Sequence, residues 1–277
     1  MKKILYFLLI FSFFTQLSAG DWKLIWSDEF NYNGLPDSTK WGYEVGFERN
    51  FEMQYYTCKR AENARVENGY MIIEGRKEQY KNPRYKQNSG NWQENREYAQ
   101  YTSASVITLN KMQFKYGRIE IRAKLPQGKG VWPAIWALGV NRFEVGWPLC
   151  GEIDIMEFVG HDPHKIYATV HYGIGKEGKH KSKGANIETN APYDDFHLYA
   201  LEWDENKMDF FFDQTKYFTF YIDDAGKEAA GQFRKPFYLL INLALGGSWG
   251  REIDDSIFPQ QYLIDYVRFY KKNNSQK

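Results

Sequence analysis

Gly151-Glu-Ile-Asp-Ile-Met-Glu-Phe-Val-Gly160 places three acids, Glu152, Asp154 and Glu157, inside a run of Ile, Met, Phe and Val that reads as a buried strand. Carboxylates rarely enter such a run, because burying one without a partner is costly. Side chains alternate along a strand, so Glu152 and Asp154 share one face while Ile153 and Ile155 point into a core. Glu157 breaks the count, since five residues after Glu152 it falls on the core face. One extra residue around Ile155 and Met156 returns it to the acidic side, and the pattern predicts that β-bulge. The two glutamates are then about four strand steps apart, ~13 Å between Cα atoms at ~3.3 Å each. Their side chains can lean together to the ~5–5.5 Å carboxyl separation at which retaining glycoside hydrolysis operates. Such chemistry needs one nucleophile and one proton donor. Asp154 between them can share a proton with Glu152 and help to keep Glu157 protonated. The alternative is an acidic solvent face on an ordinary half-exposed strand.

Composition bounds the partners. A chain of 277 residues can bury a sizeable core, and 36 basic against 35 acidic residues leave no net field to attract nucleic acid or an anionic membrane. An aromatic content of 18%, with 9 Trp and 21 Tyr, suits stacking on the flat faces of pyranose rings, although Tyr and Phe are also good strand formers. Lys2 and Lys3, the apolar run from Ile4 to Phe14 and the small residues Ser18 and Gly20 read as an export signal over residues 1–20, too short to span a bilayer. The mature chain, with no further long apolar run, is expected to be a soluble monomer in the periplasm or outside the cell. Cys58 and Cys150 could form a disulfide in that compartment, or each could be a small buried thiol. No glycine-rich phosphate loop appears, so no phosphate or redox cofactor is expected. His161 and His164 lack the partners of a zinc set.

From Asp21 the chain reads as short strands divided by turns. Glu67-Asn-Gly69 signals a hairpin, and Gln79 to Gln100 reads as a long polar loop in which Trp92 and Tyr98 either cover a ligand or pack on the loop's own base. In Tyr116 to Leu125, Arg118, Glu120, Arg122 and Lys124 share one face, which reads as wet. Trp132, Ala134 and Trp136 share a face opposite Pro133 and Ile135. Further strands are expected at 165–171, 196–203, 208–213, 216–221, 237–245 and 262–270, with a turn or two of helix between Ile222 and Phe233. These features predict one all-β domain, an antiparallel sandwich over residues 21–273, followed by a short tail at 274–277.

Trp132-Pro-Ala-Ile-Trp-Ala-Leu-Gly139 followed by Gly151-Glu-Ile-Asp-Ile-Met-Glu157, with Trp22 to Phe30 upstream and Ile264-Asp-Tyr-Val-Arg-Phe-Tyr270 at the end, resembles family 16 of the glycoside hydrolases. The spacing E-x-D-x-x-E is similar to the laminarinase branch. The resemblance implies a concanavalin-like β-jelly roll of two curved antiparallel sheets with a glycan across the concave one. It also implies an exported, retaining endo-β-glucanase acting on internal β-1,3 linkages of laminarin or mixed β-1,3/1,4-glucan. Glu152 matches the nucleophile, Glu157 the acid/base and Asp154 the assisting acid. Trp147 matches a tryptophan that stacks on the sugar, and His171 a histidine near the acids. Trp132, Trp136, Asn242 and Trp249 are expected to line the cleft. Arg49-Asn-Phe-Glu-Met-Gln-Tyr-Tyr56 resembles a binding segment in which Asn50 contacts substrate, with Phe51 replacing an Asn. A structural calcium on the convex side is implied at Asp265 with backbone oxygens near Glu29 and Gly69. Relatives on this fold also act on galactans such as agar, porphyran or carrageenan, or bind glycans without cutting them.

Overall fold

The computed structural model describes residues 22–273; the expected export signal at 1–20 and the expected tail at 274–277 lie outside them. Two stacked sheets form a β-jelly roll. The seven-stranded sheet runs in the order Lys179–Glu188, Lys165–Ile174, Glu152–Glu157, Val131–Gly139, Phe237–Leu245, Ser105–Ile107, Gly42–Tyr43. The ten-stranded sheet is built around Gly117–Lys124 and Gln260–Lys272. Pairing is antiparallel except where Gln54–Tyr56 lies parallel to Tyr98–Ser103, a departure from the all-antiparallel expectation.

Alternation decides what each sheet buries. On the seven-stranded sheet Ile135, Ala137, Ile153, Ile155, Ile166, Ala168 and Val170 face inward and are almost wholly buried against Ile119, Ile121, Leu201 and Phe210 of the other. Truncating one of these isoleucines to alanine should cost roughly 2–5 kcal/mol. The opposite face of the same strands presents Trp132, Ala134, Trp136 and Leu138, as the alternation predicts. The hairpin at Asn68 and Gly69 forms with both residues at positive φ, 54° and 82°, the geometry of a two-residue turn that suits Asn-Gly.

Three expectations need correction. The face of Arg118 and Glu120 is not wet: both are buried, Arg118 Nε lies 2.6 Å from Glu120 Oε1, and the guanidinium also reaches Glu202 at 2.7 Å under the ring of Phe211. Charges can occupy that face because they compensate each other. The long loop is shorter than read, since the strands Tyr70–Lys81 and Tyr98–Ser103 extend into it from both sides. Trp92 packs on Phe47 and Phe51, and Tyr98 lies half-exposed on its strand. Cys150 is buried as expected, but Cys58 is exposed and both thiols are free. The expected helix turns occur as two short 3-10 segments, Ile222–Ala225 and Ala230–Arg234.

Candidate active site

The acidic strand is bounded by two glycines that no other residue could replace without movement. Gly151 has φ +76°, and a Cβ there would come within 3.1 Å of the Phe237 ring, while at Gly160 it would sit 1.8 Å from the carbonyl oxygen of Gly128. Between them the predicted bulge is present: the register against Lys165–Ile174 shifts between Asp154 and Glu157, and against Val131–Gly139 between Asp154 and Met156. Glu152, Asp154 and Glu157 consequently all line one cleft of about 280 Å³, together with Arg49, Asn50, Trp132, Trp136, Arg142, Trp147 and Asn242.

Each glutamate accepts a hydrogen bond from a different indole. Trp147 Nε1 donates to Glu152 at 2.9 Å and Trp132 Nε1 to Glu157 at 3.1 Å. His171, directly opposite Glu152 on the neighbouring strand, places Nε2 3.2 Å from Asp154 Oδ2 and 3.9 Å from Glu152. The nearer contact is an ion-pair distance without hydrogen-bond alignment. On its other side His171 Nδ1 lies 2.8 Å from His180 Nε2, and the His180 ring lies tilted against Trp147 at 4.8 Å.

Burial pushes the Glu152 carboxyl up to about 8, and the charge of Asp154 adds to the shift, while His171, Arg49 and the Trp147 N–H oppose it. Burial likewise raises Asp154. Glu157 is pushed well above the ordinary carboxyl range by burial and then by the charges of Asp154 and Glu152. Three acids this close in a sheltered cleft do not all ionise at neutral pH, so the cluster retains protons. More of the groups that favour a charge, the Arg49 guanidinium among them, act on Glu152.

Among the other expected residues, Trp136 is buried as floor, donating to Asn242 Oδ1 at 2.7 Å beneath the Arg49 guanidinium 4.8 Å away. Asn242 passes the network to the Tyr56 hydroxyl at 2.9 Å, and Tyr56 to Glu52 at 3.2 Å. Asn50 lines the cleft and also bonds Glu52. Trp249 sits edge-on to Trp132 at 5.5 Å, at the border of the cleft rather than within it. Arg49, Glu52, Arg142 and His180 were not legible as site residues. Glu52 and Arg49 had a usable signal, an acid and a base beside the binding-like Asn50. His180 had none, because the strand Lys179–Glu188 is polar throughout and carries no alternation.

The model of Glycosyl hydrolases family 16 matches residues 51–268. The chain belongs to this family. A beta-glucanase of Rhodothermus marinus is 43% identical over 264 residues, covering 91% of this chain and 86% of that protein. A keratan-sulfate endo-1,4-beta-galactosidase of Sphingobacterium multivorum is 31% identical over 93% of this chain, which spans 57% of that protein. The solved laminarinase of Rhodothermus marinus superposes with a TM-score of 0.78 at 41% identity, covering 91% of this chain and 98% of that one. A structure from work on endo-acting O-glycanases with which gut bacteria initiate mucin breakdown superposes at 0.86 with 37% identity, covering 93% of each chain. The family 16 chain is a glycoside hydrolase of the jelly-roll type.

Near the residues expected to hold calcium, the strand pairing ends at Ile264 opposite Met71 and at Asp28 opposite Val267. The carboxylate of Asp265 is held by Arg122 at 2.6 Å, and that of Glu29 by Arg268 at 2.7 and 2.9 Å.

Proposed function

We propose that the chain is an exported, retaining endo-β-glucanase that hydrolyses internal β-1,3 linkages of laminarin-type or mixed β-1,3/1,4-glucan. The observation that carries this reading is the bulge, which sets Glu152, Asp154 and Glu157 on one face with an indole N–H on each glutamate. The named activities of the beta-glucanase and laminarinase relatives support the substrate.

In the first step a Glu152 oxygen attacks the anomeric carbon as the bond to the leaving oxygen breaks, and Glu157 transfers its proton to that oxygen. In the second, Glu157 takes a proton from water, which attacks the same carbon and releases Glu152. Asp154, with His171 beside it, supplies a local charge that keeps the proton on Glu157 until the leaving group needs it. Trp147, 49% exposed, offers the sugar an open ring face beside the nucleophile.

A second reading is favoured by the closer superposition on the O-glycanase structure and by the keratan-sulfate galactosidase relative: the same chemistry on a galactose-containing glycan. A panel of laminarin, barley glucan, lichenan, agarose, porphyran and keratan with product linkage analysis separates the two. Internal fragments from laminarin support the glucanase, and cleavage confined to the galactans replaces it.

Among the described residues no helix is long and apolar enough to cross a membrane. Export through residues 1–20 is tested by the N-terminus of the protein recovered outside the cytoplasm, expected near Asp21, and monomeric state by sedimentation. Calcium at Asp265, Glu29 and Gly69 would compete with Arg122 for the Asp265 carboxylate. A Tm unmoved between millimolar calcium and chelator removes that site from the account.

A further inference from the structure

Beside the cleft lies an open groove of about 660 Å³, lined by Phe51, Met53, Arg96, Tyr101, Arg251 and Glu252 among others. The two spaces share a wall. Asn50 and Glu52 line the catalytic cleft, whereas Phe51 and Met53 of the same segment face the groove, and Ser248 N–H donates to Asn50 O at 2.8 Å. Trp249 packs on Trp132, which bonds Glu157. The groove therefore lies on the side of the cleft that the proposed mechanism gives to the leaving group, and the inference rests on that reading.

Its walls carry two arginines that no carboxylate pairs among the described residues. Arg96 lies over the rings of Phe47 and Trp92, at 5.2 and 5.8 Å, with one nitrogen 3.5 Å from Met53 Sδ. Neither Arg96 nor Arg251 pairs with a carboxylate among the described residues. Burial lowers the Arg96 pKa, and no charged neighbour opposes it. Desolvating a guanidinium without an anion is unfavourable, and an arriving anion relieves it. Phe51 and Arg251 both sit at positive φ, 54° and 62°, and Phe51 is 62% exposed, braced on Trp92 at 5.1 Å. Non-glycine residues held in that region concentrate at binding sites. Glu252 is the one acid on the lining, against two guanidinium groups.

The geometry points to a leaving-group subsite at Phe51, Arg96 and Arg251 that takes a sugar bearing an acidic substituent, a sulfate ester or a carboxylate. The ring stacks on Phe51 and the anion accepts hydrogen bonds from the guanidinium groups. Glu252 restricts where the anion can sit.

The test is calorimetric binding to the Glu157→Gln protein, which keeps the cleft but does not turn over. Keratan sulfate is compared with its desulfated form, and carboxymethyl-laminarin with laminarin. The acidic form of at least one pair should bind about tenfold more tightly, with the preference shrinking as salt is raised. Arg251→Asn, which suits the positive φ, and Arg96→Gln should each reduce the preference, leaving binding of the neutral forms within about twofold. Preference for sulfate alone, carboxylate alone or both identifies the substituent. Equal affinity within both pairs, or a preference that survives in Arg251→Asn and in the double variant, overturns the subsite. Hydrolysis of neutral laminarin by the wild-type protein is measured separately, so failure of the subsite is distinct from failure of the glucanase reading.

Discussion

The two ends of the acidic strand hold the same side chain in different surroundings. Glu152 and Glu157 each accept one indole N–H at about the same length, 2.9 and 3.1 Å. Beyond that the ends diverge. Around Glu152 stand His171, the Arg49 guanidinium and a half-exposed Trp147, all favouring a charged carboxylate or an open approach. Around Glu157 stand the buried Trp132 and two acids that repel its charge, where Asp154 is the acid that repels a charge on Glu152. In the proposed mechanism these surroundings assign attack to Glu152 and proton donation to Glu157, the general route by which paired carboxylates divide their roles.

The largest expected effects come from removing either acid. Glu157→Ala and Glu152→Ala should each lower turnover of laminarin by about 10²–10⁴-fold or more. Azide sharpens the contrast on an activated aryl glycoside. In Glu157→Ala it should attack the glycosyl-enzyme and yield a β-glycosyl azide, and in Glu152→Ala it should replace the nucleophile and yield the α-anomer. The same anomer from both variants breaks the division of roles.

The indoles come next. Trp147→Ala should raise KM about tenfold with Tm nearly unchanged, because the ring is exposed and offers itself to substrate. Trp132→Ala should lower both kcat and Tm, because its ring is 8% exposed and packs on Trp249. Interchanged patterns would reverse the two ends.

The smallest effect concerns stability against pH. Burial pushes the Glu152 carboxyl up to about 8 in the folded chain, against 4.5 ordinarily, so the charged form that attacks is drawn on increasingly as pH rises toward that value. Its folded pKa is raised, so its contribution is complete below about 4.5 and is lost as pH climbs to about 8. Neutral, isosteric Glu152→Gln escapes that loss. It should match the wild-type Tm at pH 4 and exceed it by several degrees at pH 8, on the order of a few kcal/mol. A gain that is equal at both pH values contradicts the assigned burial.

Much of the cleft was legible because strand alternation is a strict rule. The single defect in the pattern, Glu157 on the wrong parity, was enough to place the bulge between Asp154 and Met156. Trp132 and Trp136 followed from the same count. What alternation could not show was which aromatic faces stay open. Trp136 lines the cleft as expected, but Arg49, from a segment 87 residues earlier in the chain, lies over its ring. His180 was invisible for a related reason: an edge strand exposed along most of its length, Lys179–Glu188, has no apolar signature, and its pairing becomes apparent from its partner alone. The buried Arg118 and Glu120 were misread because a charged face is normally solvated, and neither compensation by Glu202 nor cover by Phe211 can be counted from one strand.

The division of roles between the two glutamates is tested most directly by proton NMR of the first product formed from laminarin, before mutarotation. Two displacements at the anomeric carbon, by Glu152 and then by water, predict that the new reducing end appears first as the β-anomer. Initial appearance of the α-anomer would mean that water attacks in a single step, and Glu152 could not be the nucleophile.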